Sequence, residues 1–245
     1  MIGDLYHAEK YIKLGYETHK ATPAAYALCY YPSFLSHLYF DSGDLYQAQL
    51  HAEEAIKLSV KQNENNVKAR SMTSLGRIIG EKMKSKSDEA ENYILDGIDI
   101  LKQIRAKPDC SRGYLCLGEF YVDQGEYGKA INVLKMAESE FLDMELDFWL
   151  SFSKSALGSA LAKENPAQRD IAEDYIFQAI KIAQDHDFKP PLARGYLRLG
   201  ELYADSGNKE KALENLKKAE AMYQEMGMGL WLGKTLEVLE RPTKE

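Results

Sequence analysis

Only three cysteines, Cys29, Cys110 and Cys116, occur in 245 residues. That is too few for a disulfide framework, and none has the close paired spacing of zinc ligands, so they are expected to act as small buried apolar residues. Histidine is also scarce. His7, His19, His37, His51 and His186 are scattered, and no two stand three or four residues apart as a helical metal-binding pair requires. There is no phosphate-cradling glycine loop and no nucleophile elbow. Neighbouring carboxylates such as Glu53 and Glu54, or Asp185 and Asp187, fit solvated faces and turns. The expectation is a protein with no catalytic residues, no cofactor and no metal. Positive charge is in deficit as well, with 31 Lys and Arg against 38 Asp and Glu, a net charge of -7 and a pI near 5.4. This balance disfavours nucleic acid and anionic lipid as partners, since both select basic surfaces. No apolar run approaches the roughly 20 residues that span a bilayer, and the N-terminus has no basic segment followed by an apolar one. A cytoplasmic protein without a membrane partner is expected.

What the chain does have is a period. The dipeptides Leu75-Gly76, Leu117-Gly118, Leu157-Gly158 and Leu199-Gly200 are spaced by 42, 40 and 42 residues, and Leu35-Ser36 extends the series 40 residues upstream. Three residues after each small residue stands a large apolar one, Tyr39, Ile79, Tyr121, Leu161 and Tyr203, which places the pair on one helical face. A turn marked by Gly43, Gly125 and Gly207 follows, and then a second small column, Ala48, Ala90, Ala130, Ala172 and Ala212. Four residues on come Ala52, Ile94, Leu134, Ile176 and Leu216, and after these Ala55, Gly97, Ala137, Ala179 and Ala219. Each unit therefore reads as a helical hairpin with small residues where its two helices must approach closely. An 82-residue offset lies above this period, because "RGYLCLGEFYVDQGEYGKAINVLKMAE" (112 to 138) matches "RGYLRLGELYADSGNKEKALENLKKAE" (194 to 220). Repeats alternate between a tight glycine turn and a longer turn, "EKMKSKSDEA" or "KENPAQRDIA". Duplication of a pair accounts for the alternation; a contact ridge built from the longer turns is the functional alternative.

The columns Tyr114, Leu117, Gly118, Tyr121, Ala130, Leu134 and Ala137, and their counterparts from Tyr196 to Ala219, resemble the signature of the tetratricopeptide repeat. The resemblance implies an all-α, right-handed solenoid that binds protein or peptide. The usual unit has about 34 residues, so units of 40 to 42 imply longer second helices or connectors. The expected organisation is a single solenoid over 1–242, with a half repeat at 1–20, repeats near 23–62, 63–104, 105–144, 145–186 and 187–224, and a closing helix at 226–240. The stretch 193 to 242 also resembles the C-terminal end of bacterial signalling proteins that join a class III nucleotide cyclase, an AAA-type ATPase and a tetratricopeptide region. A further resemblance is to the helical sensor arm of ATPase-linked transcription regulators.

The ends differ. "GDLYHA" at 3 to 8 recurs as "GDLYQA" at 43 to 48, so the chain opens on the second helix of a hairpin. Leu5, Ala8, Ile12 and Gly15 form the face that a preceding helix would cover. An upstream segment, a second copy, or the next repeat is expected to cover it, which makes this face a candidate docking surface and a route to homo-oligomers. At the other end, Leu230, Trp231 and Leu236 are expected to cover the last hairpin before a stop at Pro242.

The groove of such a solenoid is lined by the first helix of each hairpin. Six residues before the small column stand Tyr30, Arg70, Arg112, Phe152 and Arg194; one residue after it stand His37, Arg77, Glu119, Ser159 and Glu201; five after it stand Asp41, Glu81, Asp123, Lys163 and Asp205. The arginines suit bidentate capture of a peptide carboxylate, or ion pairs with acids of the neighbouring hairpin. The lysine and asparagine columns of the carboxylate-clamp tetratricopeptide proteins are missing, so a chaperone-tail ligand is not expected. The aromatic run "YALCYYPSFLSHLYF" (26 to 40) reads either as packing between repeats or as an exposed ridge for a partner helix.

Overall fold

The computed structural model describes residues 5–21, 27–84 and 87–241. Gly3 and Asp4 of the first motif, Tyr26 of the aromatic run, Ser85 and Lys86 of a longer turn, and Pro242 lie outside the described residues. Among the described residues there are twelve α-helices and no strand. Two compact units divide the chain between Phe120 and Tyr121, within one helix. The first unit holds α1 (Leu5–Lys20), α2 (Tyr30–Ser42), α3 (Leu45–Gln62), α4 (Asn65–Met83), α5 (Asp88–Gln103) and most of α6 (Lys107–Asp123). The second holds α7 (Tyr127–Asp143), α8 (Asp147–Glu164), a 3-10 turn (Pro166–Gln168), α9 (Arg169–Asp185), α10 (Lys189–Asp205), α11 (Lys209–Met226) and α12 (Gly229–Leu239). Helices α2 with α3, α4 with α5, α8 with α9 and α10 with α11 pack as hairpins. The fold is an all-α solenoid of such hairpins.

Small residues set how closely these helices pack. A Cβ placed on Gly76 of α4 would meet the Ala90 carbonyl oxygen of α5 at 2.5 Å and Ile94 Cγ1 at 2.6 Å. The same contact recurs in the second unit, where a Cβ on Gly158 of α8 would meet Ala172 O at 2.6 Å and Ile176 Cγ1 at 2.7 Å. Backbone cannot yield as a flexible side chain can, so even one methyl group would force the helices apart. In the α2–α3 hairpin a serine takes the glycine's place, and the Ser36 hydroxyl donates to the Ala48 carbonyl oxygen at 2.9 Å. The facing alanines Ala48, Ala90, Ala130 and Ala172 have no exposed surface. The extra length is not confined to the second helices: α4 and α8 have 19 and 18 residues against 16 and 17 in α5 and α9, whereas α2 has 13 against 18 in α3.

Two kinds of turn alternate. Gly43, Gly125 and Gly207 take left-handed conformations after α2, α6 and α10, as a tight helix stop requires. The longer turns add side-chain caps: Ser87 Oγ accepts the Ala90 amide at 3.2 Å, after Lys84 has ended α4 at φ 48°, and Asn165 Oδ1 accepts the Ala167 amide at 3.0 Å. Turns between successive hairpins form a third set. Asn63, Arg105, Glu145, Asp187 and Gly227 all have positive φ, and in each case the amide of the next residue bonds a carbonyl five residues back, as Leu146 N does to Phe141 O at 2.9 Å. Only one of these five positions is glycine.

A left-handed conformation costs a residue with a Cβ about 1–2 kcal/mol relative to glycine, part of which glycine returns through its looser unfolded state. Glu145 is exposed with φ 54°, so Glu145→Gly is expected to stabilise the fold by about 0.5–1 kcal/mol and raise the melting midpoint by about 1–4 °C. Thermal unfolding followed by circular dichroism checks this; an unchanged or lower midpoint would show that the turn is not strained.

Candidate functional site

In the first unit the first helices of the hairpins bring three predicted groove residues into one neighbourhood. Asp109 of α6 lies 3.4 Å from Arg70 Nε on α4 and 3.3 Å from Arg112 Nη1 on α6. Its other oxygen accepts from Asn66 Nδ2 at 2.8 Å. Arg70 thus pairs with an acid of the next hairpin, which makes part of this cluster structural. Burial, with Arg70 alongside, pushes the Arg112 guanidinium down to about 10. The Tyr30 phenol is pushed up by burial and by the Glu64 carboxylate, with Arg70 and Asp109 also within electrostatic reach.

One turn further along, His37 accepts or donates a hydrogen bond with Ser74 Oγ at 3.3 Å. Burial, then Arg112 and Arg70, push the imidazole down to about 3, so it stays neutral. Arg77 is buried with its guanidinium 6.0 Å from the centre of the Phe40 ring. Burial holds the Cys116 thiol protonated, up to about 12, between the opposing influences of Arg77 and Glu119.

The second unit uses the same column differently. Arg194 of α10 is sandwiched between aromatic rings, with its guanidinium carbon 5.6 Å from the centre of Phe152 on α8 and 3.2 Å from that of Trp231 on α12. Both Arg194 and Trp231 are buried. In α12, which packs on α11 and α10, Trp231, Thr235 and Val238 are buried, while Leu230 and Leu236 are half-buried. Phe152 extends into a half-buried aromatic group: Phe148 makes edge contacts with Trp149, Phe152 and Phe188 at 5.0, 5.4 and 5.3 Å between ring centres. His186 stacks on Phe188 at 5.2 Å and lies 3.1 Å from Asp147 Oδ2. Glu201 accepts from Arg198 Nη1 at 2.9 Å. Burial opposes its ionisation, but Arg198 and Lys163 outweigh burial and hold its carboxyl below the usual range.

On α1, Leu5, Ala8, Ile12 and Gly15 are half-buried, and a Cβ on Gly15 would meet Tyr31 Cε1 of α2 at 2.8 Å. Tyr39 of α2 donates to Glu9 Oε1 at 2.7 Å. The segment Ala8–Ile12 reads AEKYI, close to AENYI at 90–94 and AEDYI at 172–176. In those helices the alanine and isoleucine are fully buried. Ala8 and Ile12 are covered only in part. The outer side of α1 carries exposed Tyr6, Tyr11 and Leu14.

Periodic reading missed Asn66 and Asp109, whose polar roles depend on the next hairpin's placement, and the group of Phe148, Trp149 and Phe188. The adjacent Phe148 and Trp149 were the one visible signal for that group. Among the described residues no group of three His, Cys, Asp or Glu side chains could hold a metal ion, and no helix is long and apolar enough to cross a membrane.

The glycine-to-alanine hairpin contact, repeated along the chain, defines a solenoid of the tetratricopeptide type. Residues 193–225 match the family model described as tetratricopeptide repeat. No curated protein matches the sequence. Among solved structures, the chain is similar to a Rap protein complexed with competence and sporulation factor, at 16% identity and a TM-score of 0.71 over 94% of this chain and 68% of that one. It is similar to BtubC from P. vanneervenii at 16% identity and a TM-score of 0.61, covering 91% of each chain. A signal transduction ATPase with numerous domains and a tetratricopeptide repeat sensor, from Pyrococcus horikoshii, is similar at 19% identity and a TM-score of 0.58 over 96% of this chain and 36% of that one. At these identities the likeness is one of fold.

Because the unfolded chain takes up a proton on His37 near pH 6.5 and the folded chain holds this group neutral down to about 3, acidification between these two values favours unfolding through this group. The urea midpoint is expected to fall between pH 7 and pH 5, and less steeply for His37→Gln. Equal slopes for the two chains would refute a buried neutral imidazole.

Proposed function

We propose that this chain is a non-enzymatic protein-interaction segment that receives a peptide stretch of a partner protein, or of another part of the same polypeptide, on the first-helix faces of its hairpins. The observation that carries the reading is the group of Phe148, Trp149, Phe152 and Phe188. These four aromatics remain half-buried in the folded chain and stand beside Arg194, which is locked between Phe152 and Trp231. Rigid aromatic and arginine anchors carry most of the energy of protein recognition, because they bury large areas at little entropic cost. A regulatory role in a larger bacterial signalling protein is consistent with this reading. It draws support from the resemblance of residues 193–242 to cyclase- and ATPase-linked proteins and from the tetratricopeptide sensor of the similar Pyrococcus horikoshii ATPase. The Rap protein, complexed with competence and sporulation factor, shows that a chain of this fold can hold a bound factor; a peptide or small-molecule sensor on the same face is the alternative form of the proposal.

The test is a random peptide library displayed against the full chain, followed by titration of selected peptides into wild type and Trp149→Ala. Selected peptides are expected to weaken by about tenfold or more, the size of a hot-spot truncation, with an unchanged helical spectrum. Failure to select any peptide, or selected peptides that ignore Trp149, would remove the basis for the proposal.

A second site follows from the incomplete burial of Ala8 and Ile12, whose counterparts in α5 and α9 are fully covered. We infer that the Leu5, Ala8 and Ile12 face docks a second copy of the chain. Light scattering over a concentration series is expected to show a dimer in the wild type and a monomer for Ile12→Glu. A monomeric wild type at all concentrations would refute it.

A further inference from the structure

We propose that the longer turn between α8 and α9 builds a receptor for a phosphate-class oxyanion, separate from the aromatic face. Where the tight turns stop on glycine, this turn inserts the Pro166–Gln168 3-10 segment, held by Asn165, and delivers Arg169 as the first residue of α9. The result is a cleft of about 440 Å³ in the second unit, with Tyr127, Lys163, Pro166, Arg169, Asp205 and Arg241 on its walls. Three cations therefore converge with one carboxylate in a chain whose net charge is -7.

The balance within the cleft favours a doubly charged ligand. Asp205 faces Arg241 at 3.6 Å in a solvent-exposed pair, a kind that forms and opens at little cost. Lys163 lies near the Glu201 carboxylate, which is bonded to Arg198 instead. Among the described residues Lys163 makes no ion pair of its own. Arg169 is the strongest pointer: its Nε is buried and has no hydrogen-bond partner among the described residues. A buried guanidinium donor left unmade is disfavoured, and an oxyanion in the cleft supplies the missing acceptor to a planar, fixed-charge fork. Two surplus positive charges match the charge of a phosphate near neutral pH, and the volume leaves room for the organic part of a phosphomonoester. The longer turn thereby gains a role that duplication alone does not give it.

Inorganic phosphate, titrated into the full chain at constant ionic strength and followed by amide and arginine Nε NMR shifts, tests the site. The expected result is saturable binding centred on residues 163–169, with the Arg169 Nε resonance moving, weakened at least tenfold in Arg169→Met. Lys163→Met provides a second variant should Arg169→Met fold poorly, and it is expected to weaken binding in the same direction. Acetate at equal ionic strength is expected to bind more weakly, and phosphoserine at least as tightly as phosphate. Shifts that never saturate, shifts unchanged in both variants, or acetate binding tighter than phosphate would overturn the assignment.

Discussion

Close contact between glycine or serine on one helix and alanine on its partner is the constraint on which the rest of the molecule depends. At Gly76 and Gly158 the space a single methyl would need is already filled by the partner's carbonyl oxygen and isoleucine side chain. Helices this close align their ridges and grooves at a fixed crossing, and that crossing decides which residues point toward the neighbouring hairpin. The ion-paired cluster around Asp109 and the clasped Arg194 stand on first helices whose direction this contact sets. Ser36 keeps the same approach by bonding the Ala48 carbonyl, so the contact tolerates a small polar group that satisfies itself locally.

A second interaction ties hairpin to hairpin. Tyr39 donates to Glu9, and 164 residues later, at twice the 82-residue offset, Tyr203 donates to Glu173. Each joins the first helix of a hairpin to the second helix before it. The bond explains why α1 sits on α2 as other second helices sit on their successors, even though Ala8 and Ile12 are only partly covered. The same first helices carry the arginine and aromatic column. In one unit that column becomes an ion-paired cluster around Asp109, and in the other a cation held between Phe152 and Trp231. Identical sequence positions therefore yield different chemistry according to what the adjacent hairpin supplies.

The aromatic group and the oxyanion cleft illustrate how site residues escape periodic reading. Phe188 follows a junction in which Asp187 takes a left-handed conformation, and Arg169 follows a 3-10 turn. Neither belongs to the small-residue, apolar or groove columns, because both lie in connections that recur with the period but vary in residue type from one unit to the next. Arg70 and Arg112 were visible as a column, but Asp109 and Asn66, which hold them, were not. A partner on the next hairpin has no fixed offset in sequence when repeats alternate between 40 and 42 residues.

By itself the sequence determined the hairpin unit, its period, the close small-residue contacts and the alternation of tight and longer turns, because each follows from side-chain volume at helical spacing or from glycine's access to left-handed backbone. Only the tertiary structure decided that Arg105, Glu145 and Asp187 adopt left-handed turns without glycine, that Arg194 is clasped by two rings, and that Lys163, Arg169 and Arg241 share one cleft. The physical reason is the same for all three. Packing between hairpins imposes the junction geometry and brings together residues far apart in the chain, and that energy is a property of neighbours that local propensity does not contain.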